Sequence, residues 1–540
     1  MSKKEHKHPG PAGSASEAVW ESKSPLRDNL ESIVLAILMV MVVRQVVVEA
    51  FKIPTGSMAP TLLGVHKEVR CPNCGWTFRA GDDKTGLDSE IVCPNCRYQW
   101  PGASAYYPGE FGGEPINFRQ PAWLWNKGTT TVSEQAVEGI EAGNRINRWG
   151  SRIFVNKFIY SLRKPRRWEV AVFRYPFMKI HCNDCGWEGD VEPGSHKHCP
   201  TCSSDDIEIT RKNYIKRIVG LPNETLTLHN GDVYVWREGG DEFEIARKPP
   251  DVQNRLWLPV FDSSYVPQKS VEPRWDYVTT KRGWDENDQT GALRCDAMES
   301  DEAKMVRFDR KVSDQYAYNG NSVTEIRSEG SNQFHLVGDL RLNLRWHASS
   351  IAEGKNGAVR MEIVEDDHHF ALVVALQTRT AQLFMDGQQV QEVPIEDWHP
   401  GEPADVSFAN YDDRLLVRWN GDILMKSEYE GTPAPERMRQ EIKFGAEGAR
   451  IDFERIRIYR DIYYLGQMEE DGQPRQYVME EDDYMVLGDN SPSSSDSRAW
   501  SHPQVPEDHF MGEAFGVFWP IHEIGLLSIG SRASETEGNE

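Results

Sequence analysis

One short stretch of the chain places a serine where its hydroxyl could do chemistry. Residues 51–63, FKIPTGSMAPTLL, directly follow the most apolar run of the sequence and carry Ser57 between two prolines. Pro54 and Gly56 favour a bent backbone that exposes the Ser57 hydroxyl as a nucleophile. The hydroxyl of Thr55 is close enough along the chain to donate a hydrogen bond to an oxyanion. A serine between Gly and Met is commonly only a turn residue, so the stretch needs a partner group.

A lysine in a predicted strand could be the base for this serine. In residues 213–222, NYIKRIVGLP, Lys216 shares one face with Tyr214 and Ile218, while Arg217 points to the other face. A lysine in water has a pKa near ~10.4 and is protonated, whereas burial among apolar groups lowers that pKa strongly. The alternative is an ordinary solvated strand lysine, and this segment alone does not decide between the two.

A third polar segment follows much later, in residues 484–498, YMVLGDNSPSSSDSR. Its glycine and asparagine suit a close backbone approach, and its serines leave hydroxyls available. The alternative is a disordered polar loop, against which the flanking charged residues argue. The candidate residues are Gly488, Asp489, Ser494, Asp496 and Arg498.

In this order, the three segments resemble the boxes of the type I signal peptidases. The residues that carry the resemblance are Ser57-Met58 with Pro60-Thr61-Leu62, then Lys216-Arg217 before Val219-Gly220-Leu221-Pro222, then Gly488-Asp489-Asn490 with Ser494 and Asp496-Ser497-Arg498. The resemblance covers residues 30–64, 150–177, 213–236 and 462–520.

The resemblance implies a serine endopeptidase with Ser57 as nucleophile and the neutral amine of Lys216 as general base. It also implies that Thr55 and the Ser57 amide hold the oxyanion and that Ser494 orients the Lys216 amine. The implied substrates are membrane-tethered secretory precursors with small residues at the −1 and −3 positions. The implied structural residues near the site are Gly488, the pair Arg217 and Asp489, and the pair Asp496 and Arg498.

The chain departs from the family pattern in three places. Where the family usually has Gly-Asp, this chain has Gly150-Ser151 and Trp168-Glu169, and Ser491 stands where an Arg usually follows Gly-Asp-Asn. We therefore expect turn details and one corner of the site to differ.

Eight of the nine cysteines form two sets of paired CxxC motifs. The first set has the spacing C-x2-C-x18-C-x2-C, the second has a shorter gap, and Gly-Trp follows the first knuckle of each. Such spacing predicts two zinc ribbons with structural zinc, and we expect no cofactor for catalysis. Disulfides in an oxidising compartment, or a redox function, are the alternatives. The ninth, Cys295, is expected to be a buried or idle thiol. The predicted ligands are Cys71, Cys74, Cys93, Cys96, Cys182, Cys185, Cys199 and Cys202.

Residues 30–51, LESIVLAILMVMVVRQVVVEAF, predict one membrane-spanning helix. A span needs ~20 residues, so Arg44 must reach toward an interface for the span to continue. A buried core helix or a cleavable secretory signal are the alternatives. Basic residues before the helix favour an N-terminus inside the cell. We therefore expect a single-pass protein of the cytoplasmic membrane, in contact with the lipid bilayer, whose catalytic domain is extracytoplasmic.

The length of 540 residues predicts several domains. The formal net charge of −23 argues against nucleic acid as a partner.

Residues 240–461 contain many short alternating strands, which predict an all-β sandwich. The segment resembles laminin-G or concanavalin-like jelly rolls, whose relatives often bind glycans. A glycan or protein ligand, or a passive spacer, is therefore expected. Possible calcium ligands, or else solvated turn tips, are Asp366, Asp367, Asp412 and Asp413. The clearest predicted strands are 340–346, 370–376, 380–387, 414–421 and 451–458.

The predicted fold is mostly β: a signal-peptidase β-fold core with one N-terminal transmembrane helix, two zinc-ribbon-like insertions and an inserted jelly roll. Core strands are expected at 152–160, 168–176 and 214–219, with a hairpin at 225–236 around Asn230-Gly231. The predicted domains are a disordered tail 1–29, an anchor 30–51, core segments 52–65, 150–177, 213–239 and 462–530, ribbon insertions 66–149 and 178–212, the sandwich 240–461 and a polar tail 531–540.

Two other classes of function fit part of these patterns. One is a catalytically inactive membrane-anchored binding protein that uses the jelly roll and the ribbons. The other is a Ser–Lys hydrolase of the self-cleaving repressor type, which would need no anchor.

Overall fold

The structure is a computed structural model that describes residues 25–46, 48–81, 90–101, 146–191, 198–210, 212–269, 273–278, 280–300, 302–319, 335–431, 439–470 and 472–527. The chain divides into two compact units, residues 1–49 and 50–540. Of the predicted tail 1–29, residues 1–24 lie outside the described residues, as does the predicted tail 531–540. Residues 25–29 are helical, so the prediction of a disordered tail was wrong for them.

The first unit contains helix α1, Pro25–Val46. The predicted anchor 30–51 needs correction at both ends, because the helix starts at Pro25 and residues Val48–Lys52 form a strand. The β-branched Val48 suits the extended backbone of the strand that follows the helix. Among the described residues, no helix meets the length and apolarity that a membrane span requires.

The second unit is mostly β. Its core sheet has eight strands, seven of them from segments that resemble the family, and apolar clusters cover both faces. In order, the sheet contains β1 (Val48–Lys52), β7 (Arg152–Asn156), β34 (Phe510–Trp519), β8 (Val170–Arg174), β12 (Asn213–Gly220), β32 (Asp483–Leu487) and β33 (Val505–Pro506), with β35 (Gly525–Leu526) beside β34.

A second core sheet is built on the predicted hairpin. Asn230 and Gly231 have φ values of 51° and 99°, as a tight turn between two strands requires. The sheet packs on its own apolar cluster, which includes Leu226, Val235 and Tyr477. Its order is β15 (Glu244–Ile245), β14 (Asp232–Arg237), β13 (Glu224–His229) and β31 (Gln476–Val478).

Two large antiparallel sheets form the inserted sandwich around one apolar cluster. One sheet has the order β18 (Trp284–Glu286), β19 (Leu293–Asp296), β30 (Ala449–Arg460), β21 (Leu340–Ile351), β26 (Ala404–Tyr411), β27 (Arg414–Trp419) and β28 (Asp422–Glu428), with β16 (Leu258–Asp262) beside β30. The other has the order β17 (Trp275–Tyr277), β20 (Lys304–Phe308), β29 (Gln440–Glu447), β22 (Ala358–Glu365), β23 (His368–Ala375), β24 (Thr380–Met385) and β25 (Gln388–Pro394).

Small sheets carry the cysteine motifs. In the first set, Cys71 and Cys74 lie between β2 (His66–Arg70) and β3 (Thr77–Gly81), and β6 (Ile146–Arg148) pairs with β2. Cys93 and Cys96 lie between the paired strands β4 (Glu90–Val92) and β5 (Gln99–Pro101). The second belongs to β9 (Met178–Cys182), β10 (Glu188–Val191) and β11 (Ile207–Thr210). In sequence, this small sheet is inserted between β8 and β12. These two strands pair with each other in the core sheet, where Phe173 lies opposite Tyr214.

The helical segments are short apart from α1. The predicted strand 152–160 ends at Asn156, because α2 (Ile159–Leu162) takes over the last residues. Helix α3 (Pro250–Leu256) leads into the sandwich, with Pro250 at its first turn. Short 3-10 helices lie at Ala317–Asn319, Ser491–Ser493, Glu507–His509 and Ile521–Glu523.

Candidate active site

The turn that carries Ser57 is closed by a single residue of the neighbouring strand segment. Ile53 N donates to Ser151 O at 2.9 Å, and Ser151 N donates to Leu63 O at 2.8 Å. The Ser151 hydroxyl also accepts a hydrogen bond from Leu63 N at 3.1 Å. Both ends of the turn are therefore tied to one buried serine, which occupies the position where the family pattern has Asp.

Ser57 and Lys216 lie side by side although 159 residues separate them in sequence. Lys216 Nζ is 2.7 Å from Ser57 Oγ. The lysine lies on β12, which is flanked by β8 and β32, and the residue is 4% exposed. Burial lowers the pKa of the Lys216 amine to about 8. A neutral amine at hydrogen-bond distance from a serine hydroxyl is the arrangement that general-base activation requires.

The charged neighbours of Lys216 are paired with arginines. Asp489 receives two hydrogen bonds of 2.7 Å from Arg217, a bidentate pair buried beneath the site. Asp496 receives two of 2.8 Å from Arg498. The negative charges of Asp496 and Asp489 oppose the lowering of the Lys216 pKa, while Arg498 supports it. Because each carboxylate already has its guanidinium, burial remains the dominant influence on the lysine.

The third polar segment makes close contact with the nucleophile turn at Gly488. A Cβ atom at that position would lie 2.1 Å from Ser494 Oγ and 2.5 Å from Ser57 O, so only glycine fits. Gly488 N donates to Asp496 Oδ2 at 3.0 Å. The Ser494 hydroxyl is buried and has no hydrogen-bond partner among the described residues. Thr55 is exposed at the start of the turn. The predicted roles of Ser494 and Thr55 remain predictions.

Asn490 is a site residue to which sequence reasoning assigned no separate role. Its backbone N donates to Ser57 O at 3.0 Å, and its side-chain Nδ2 donates to Gly56 O at 3.0 Å. Asn490 therefore fixes the backbone on both sides of the Gly56–Ser57 peptide. The signal that could have found it is its place in the Gly-Asp-Asn motif.

The eight paired cysteines form two clusters, in each of which all four Sγ atoms lie within 4.8 Å of one another. The shortest Sγ to Sγ distances are 3.6 and 3.6 Å in the first cluster and 3.5 and 3.6 Å in the second. A disulfide needs about 2.05 Å. Four thiolates around one zinc at about 2.3 Å would be separated by about 3.8 Å, which these clusters fit. Cys295 is buried and separate from both.

Three of the four acidic residues suggested as calcium ligands contact protein groups. Asp412 forms an ion pair with Lys248, Asp366 accepts a hydrogen bond from Arg439 N, and Asp413 accepts one from Gly431 N. A carboxylate oxygen of Asp412 also lies within 4.8 Å of those of Asp232 and Asp339, a grouping that could hold a cation. The calcium interpretation therefore stays a prediction.

The chain matches the family model described as "Signal peptidase, peptidase S26" over residues 138–271 and 376–519, just over half of its length. Over 48 residues it is 46% identical to "Probable signal peptidase I-2" of Synechocystis sp.. That stretch is 9% of this chain and 21% of the relative, so the chain spans about a fifth of the length of the curated relative it matches.

Similar solved structures include β-rich proteins. An endo-beta-1,3-glucanase from Pyrococcus furiosus is 8% identical, with 38% of this chain and 95% of that chain covered and a TM-score of 0.28. A protein of unknown function with a galectin-like fold from Bacillus subtilis is 8% identical, with 38% and 98% covered and a TM-score of 0.27. Likeness at this level carries no functional argument.

Proposed function

The chain belongs to the signal peptidase family, peptidase S26, and from this premise we propose that it is a membrane-anchored serine endopeptidase that removes N-terminal signal peptides from secretory precursors. Ser57 is the nucleophile and Lys216 is the general base. The observation that carries the proposal is the 2.7 Å distance between Lys216 Nζ and Ser57 Oγ, together with the burial that lowers the pKa of the amine to about 8.

In the proposed reaction, Ser57 Oγ attacks the carbonyl carbon of the scissile peptide bond while neutral Lys216 Nζ accepts the hydroxyl proton. The tetrahedral intermediate collapses, the C–N bond breaks, and the Lys216 ammonium gives its proton to the leaving amine. Water then attacks the acyl ester on Ser57, again with Lys216 accepting a proton, and the hydroxyl is regenerated. No histidine is required.

Three further groups assist these steps in the proposal. The hydroxyl of Thr55 and the amide of Ser57 donate to the oxyanion as it develops. Ser494 orients the Lys216 amine, and its contact position beside Gly488 and Ser57 supports this role. The ion pairs Arg217–Asp489 and Arg498–Asp496 hold the surrounding backbone.

We propose that α1 anchors the protein in the cytoplasmic membrane, with the N-terminus inside and the catalytic unit outside. The exposed apolar side chains of the helix support this, since a helix in water does not expose such a continuous set. Confining enzyme and precursor to one layer raises their effective concentration. The substrates are precursors with small residues at the −1 and −3 positions. The exposed residues of α1 are Leu30, Ile33, Val34, Leu35, Ile37, Leu38 and Met39.

Each cysteine cluster is proposed to bind one structural zinc ion. The thiolate spacing and the CxxC turns support zinc in preference to disulfides. Elemental analysis of the purified chain should give two zinc ions per molecule, and a value near zero would contradict this assignment.

The proposed activity is tested with a secretory precursor presented in membranes. Ser57→Ala and Lys216→Ala should each abolish cleavage, since each removes one of the two reacting groups. Lys212→Ala is the matched control, because Lys212 is an exposed lysine just before the same strand. Cleavage at the wild-type rate by either active-site variant would show that the pair has been assigned wrongly.

A chain that lacks residues 25–46 separates a signal peptidase from a soluble Ser–Lys hydrolase. We expect it to cut membrane-embedded precursor much more slowly than the full chain while both cut a soluble precursor peptide equally. Equal rates on membrane-embedded precursor would contradict the proposed role of the anchor.

A further inference from the structure

The inserted sandwich reaches the nucleophile turn through one short element. The 3-10 helix Ala317–Asn319 belongs to the insertion, yet Tyr318 is 3% exposed and packs against Ala59 and Leu63 of the turn. A Cβ atom on Gly56 would lie 2.2 Å from the Tyr318 ring. The glycine before Ser57 therefore makes room for an aromatic ring that comes from the insertion.

The next residue of this element contacts the hydrogen-bond network around Ser57. Asn319 Nδ2 donates to Asn490 Oδ1 at 2.8 Å, and Asn490 Nδ2 donates to Asn319 Oδ1 at 2.8 Å. The other proton of Asn490 Nδ2 is available for Gly56 O at 3.0 Å. Asn319 thus holds the plane of the Asn490 amide, and Gly56 O, which can only accept, requires that the Nδ2 end faces the turn. With the amide reversed, Asn490 Oδ1 would face the Gly56 carbonyl oxygen, and the turn would lose a buried donor.

The first cysteine cluster (Cys71, Cys74, Cys93 and Cys96) is bonded to the insertion by the asparagine of each CPNC knuckle. Asn73 Nδ2 lies 3.6 Å from Cys96 Sγ and donates to Lys269 O at 2.9 Å. Asn95 Nδ2 lies 3.8 Å from Cys74 Sγ and donates to Tyr265 O at 3.1 Å. Each amide therefore joins a thiolate to the backbone of the insertion.

Further contacts extend this junction to the 3-10 helix. Lys269 N and Asp262 N donate to the side-chain oxygens of Asn73 and Asn95, at 2.9 and 2.8 Å. The ring of Trp76 stacks on that of Tyr265 at 5.9 Å. Ala317, two residues before Asn319, packs against the apolar cluster of the same ribbon.

The second cluster (Cys182, Cys185, Cys199 and Cys202) has a different environment. Cys185 and Cys202 are exposed, and the knuckle residues bond within their own ribbon, as Asn183 does with Asp206 at 2.9 Å. The second cluster can therefore serve as an internal control for the first.

We propose that the sandwich insertion supplies positioning residues to the catalytic turn, Tyr318 and Asn319, and that a zinc ion in the first cysteine cluster keeps the segment that carries them in place. The inference rests on the proposed function for its kinetic readout only. Its physical reason is preorganisation, because Ser57 Oγ must meet both the Lys216 amine and the scissile carbonyl.

The first test measures kcat and KM of Asn319→Leu and Asn319→Asp on a precursor peptide. Asn319→Leu should lower kcat by about tenfold to a hundredfold and change KM by less than about twofold, because the turn, not substrate binding, is disturbed. Asn319→Asp keeps an acceptor for Asn490 Nδ2, so its kcat should fall less than that of Asn319→Leu. If Asn319→Leu does not fold, the comparison of Asn319→Asp with wild type decides alone, and an unchanged kcat overturns the proposal.

Asn410→Leu is the matched control for this test. Asn410 is a fully buried asparagine of the sandwich that bonds Glu365 and Tyr429. Its replacement weakens the insertion without touching the residues that contact the turn. A kcat loss in Asn410→Leu equal to that in Asn319→Leu would overturn the positioning role, because general weakening of the sandwich would then explain both.

The second test compares Cys71→Ser with Cys182→Ser by zinc content and hydrogen exchange. Each variant should lose one zinc. Only Cys71→Ser should speed exchange of the Ala59 and Asn490 amides, which donate to Gly56 O and Ser57 O. Unchanged exchange in Cys71→Ser, or equal acceleration in Cys182→Ser, overturns the proposal. Exchange does not depend on peptidase activity, so these results stand even if the chain cuts no precursor.

Discussion

Lys216 and Lys248 are both buried almost completely, and their surroundings give them opposite properties. Lys216 is 4% exposed and Lys248 is 1% exposed. Lys248 Nζ bonds Asp412 and lies 3.0 Å from Asp461 Oδ2, and these carboxylates raise its pKa well above the ordinary value. Lys216 Nζ has a serine hydroxyl at hydrogen-bond distance, and burial lowers its pKa to about 8.

The comparison teaches that burial alone does not make a lysine a base. A buried ammonium remains charged when a carboxylate lies against it, and it loses its proton readily when none does. Two aspartates do lie near Lys216, but Arg217 and Arg498 occupy them through bidentate hydrogen bonds. The two arginines therefore contribute to the chemistry by binding these carboxylates, so that the group in contact with the Lys216 amine is the neutral Ser57 hydroxyl.

The largest expected effect is on activity. Lys216→Met should reduce cleavage of a precursor peptide by about a thousandfold or more, because it removes the amine at hydrogen-bond distance from Ser57 Oγ. Lys248→Met, assayed below its melting temperature and per folded molecule, should cut at close to the wild-type rate. Equal losses in the two variants would abolish the distinction between the catalytic and the structural lysine.

The second largest effect is expected on the free energy of unfolding, when Lys248 is replaced. Lys248→Met leaves Asp412 and Asp461 buried without their cation, which should destabilise the fold by about 3 to 5 kcal/mol at neutral pH. Urea unfolding in detergent measures this change, with Lys212→Met as the exposed control. A variant as stable as wild type would mean that the buried ion pair is not stabilising.

A smaller stability change of opposite sign is expected at Lys216. Its pKa in the folded chain, about 8, is below the ordinary value of 10.5, so the folded state binds the proton more weakly than the unfolded state. The resulting loss of stability is complete below pH 8 and disappears as the pH rises through 10.5. Lys216→Met should therefore be more stable than wild type by about 1 to 3 kcal/mol near pH 6. Urea unfolding at pH 6 and pH 10 checks the sign, and a gain that persists at the higher pH would contradict this cause.

The smallest effect concerns the charge of Asp496, which raises the Lys216 pKa. Asp496→Asn removes that charge while Arg498 keeps its own, so the pH at which cleavage reaches half its maximum should move downward. The shift should be less than about one pH unit, since the lost interaction is partly compensated. A shift to higher pH would show that the aspartate acts chiefly through the local backbone.

Much of the fold could be predicted from local pattern. The hairpin at Asn230-Gly231 and the sandwich strands have the alternation and turn residues that two-residue periodicity requires, and the structure confirms them. The anchor and the strand after Arg152 were predicted with wrong bounds. At those ends, β-branched residues and the short helix Ile159–Leu162 changed the backbone.

The candidate site likewise contains residues that could be predicted from local sequence and residues that could not. Ser57, Lys216 and the ion pairs Arg217–Asp489 and Arg498–Asp496 lie in the three sequence motifs that resemble the family. Their proximity could therefore be predicted from the sequence. Tyr318 and Asn319 carry no such signal, because they reach the turn only through the docking of a separate domain. Ser151 was noticed as a departure from the family pattern, but its hydrogen bonds to both ends of the turn depend on tertiary structure.

The central claim is that Lys216 is a neutral base for Ser57 at the working pH. The pH dependence of kcat/KM for precursor cleavage tests it most directly, measured on the full chain in detergent. The account predicts a rate that rises about tenfold per pH unit and levels off near pH 8, as the amine loses its proton. A profile that stays flat from about pH 6 to 9, or that levels off only above about pH 10 like a solvated lysine, would contradict it.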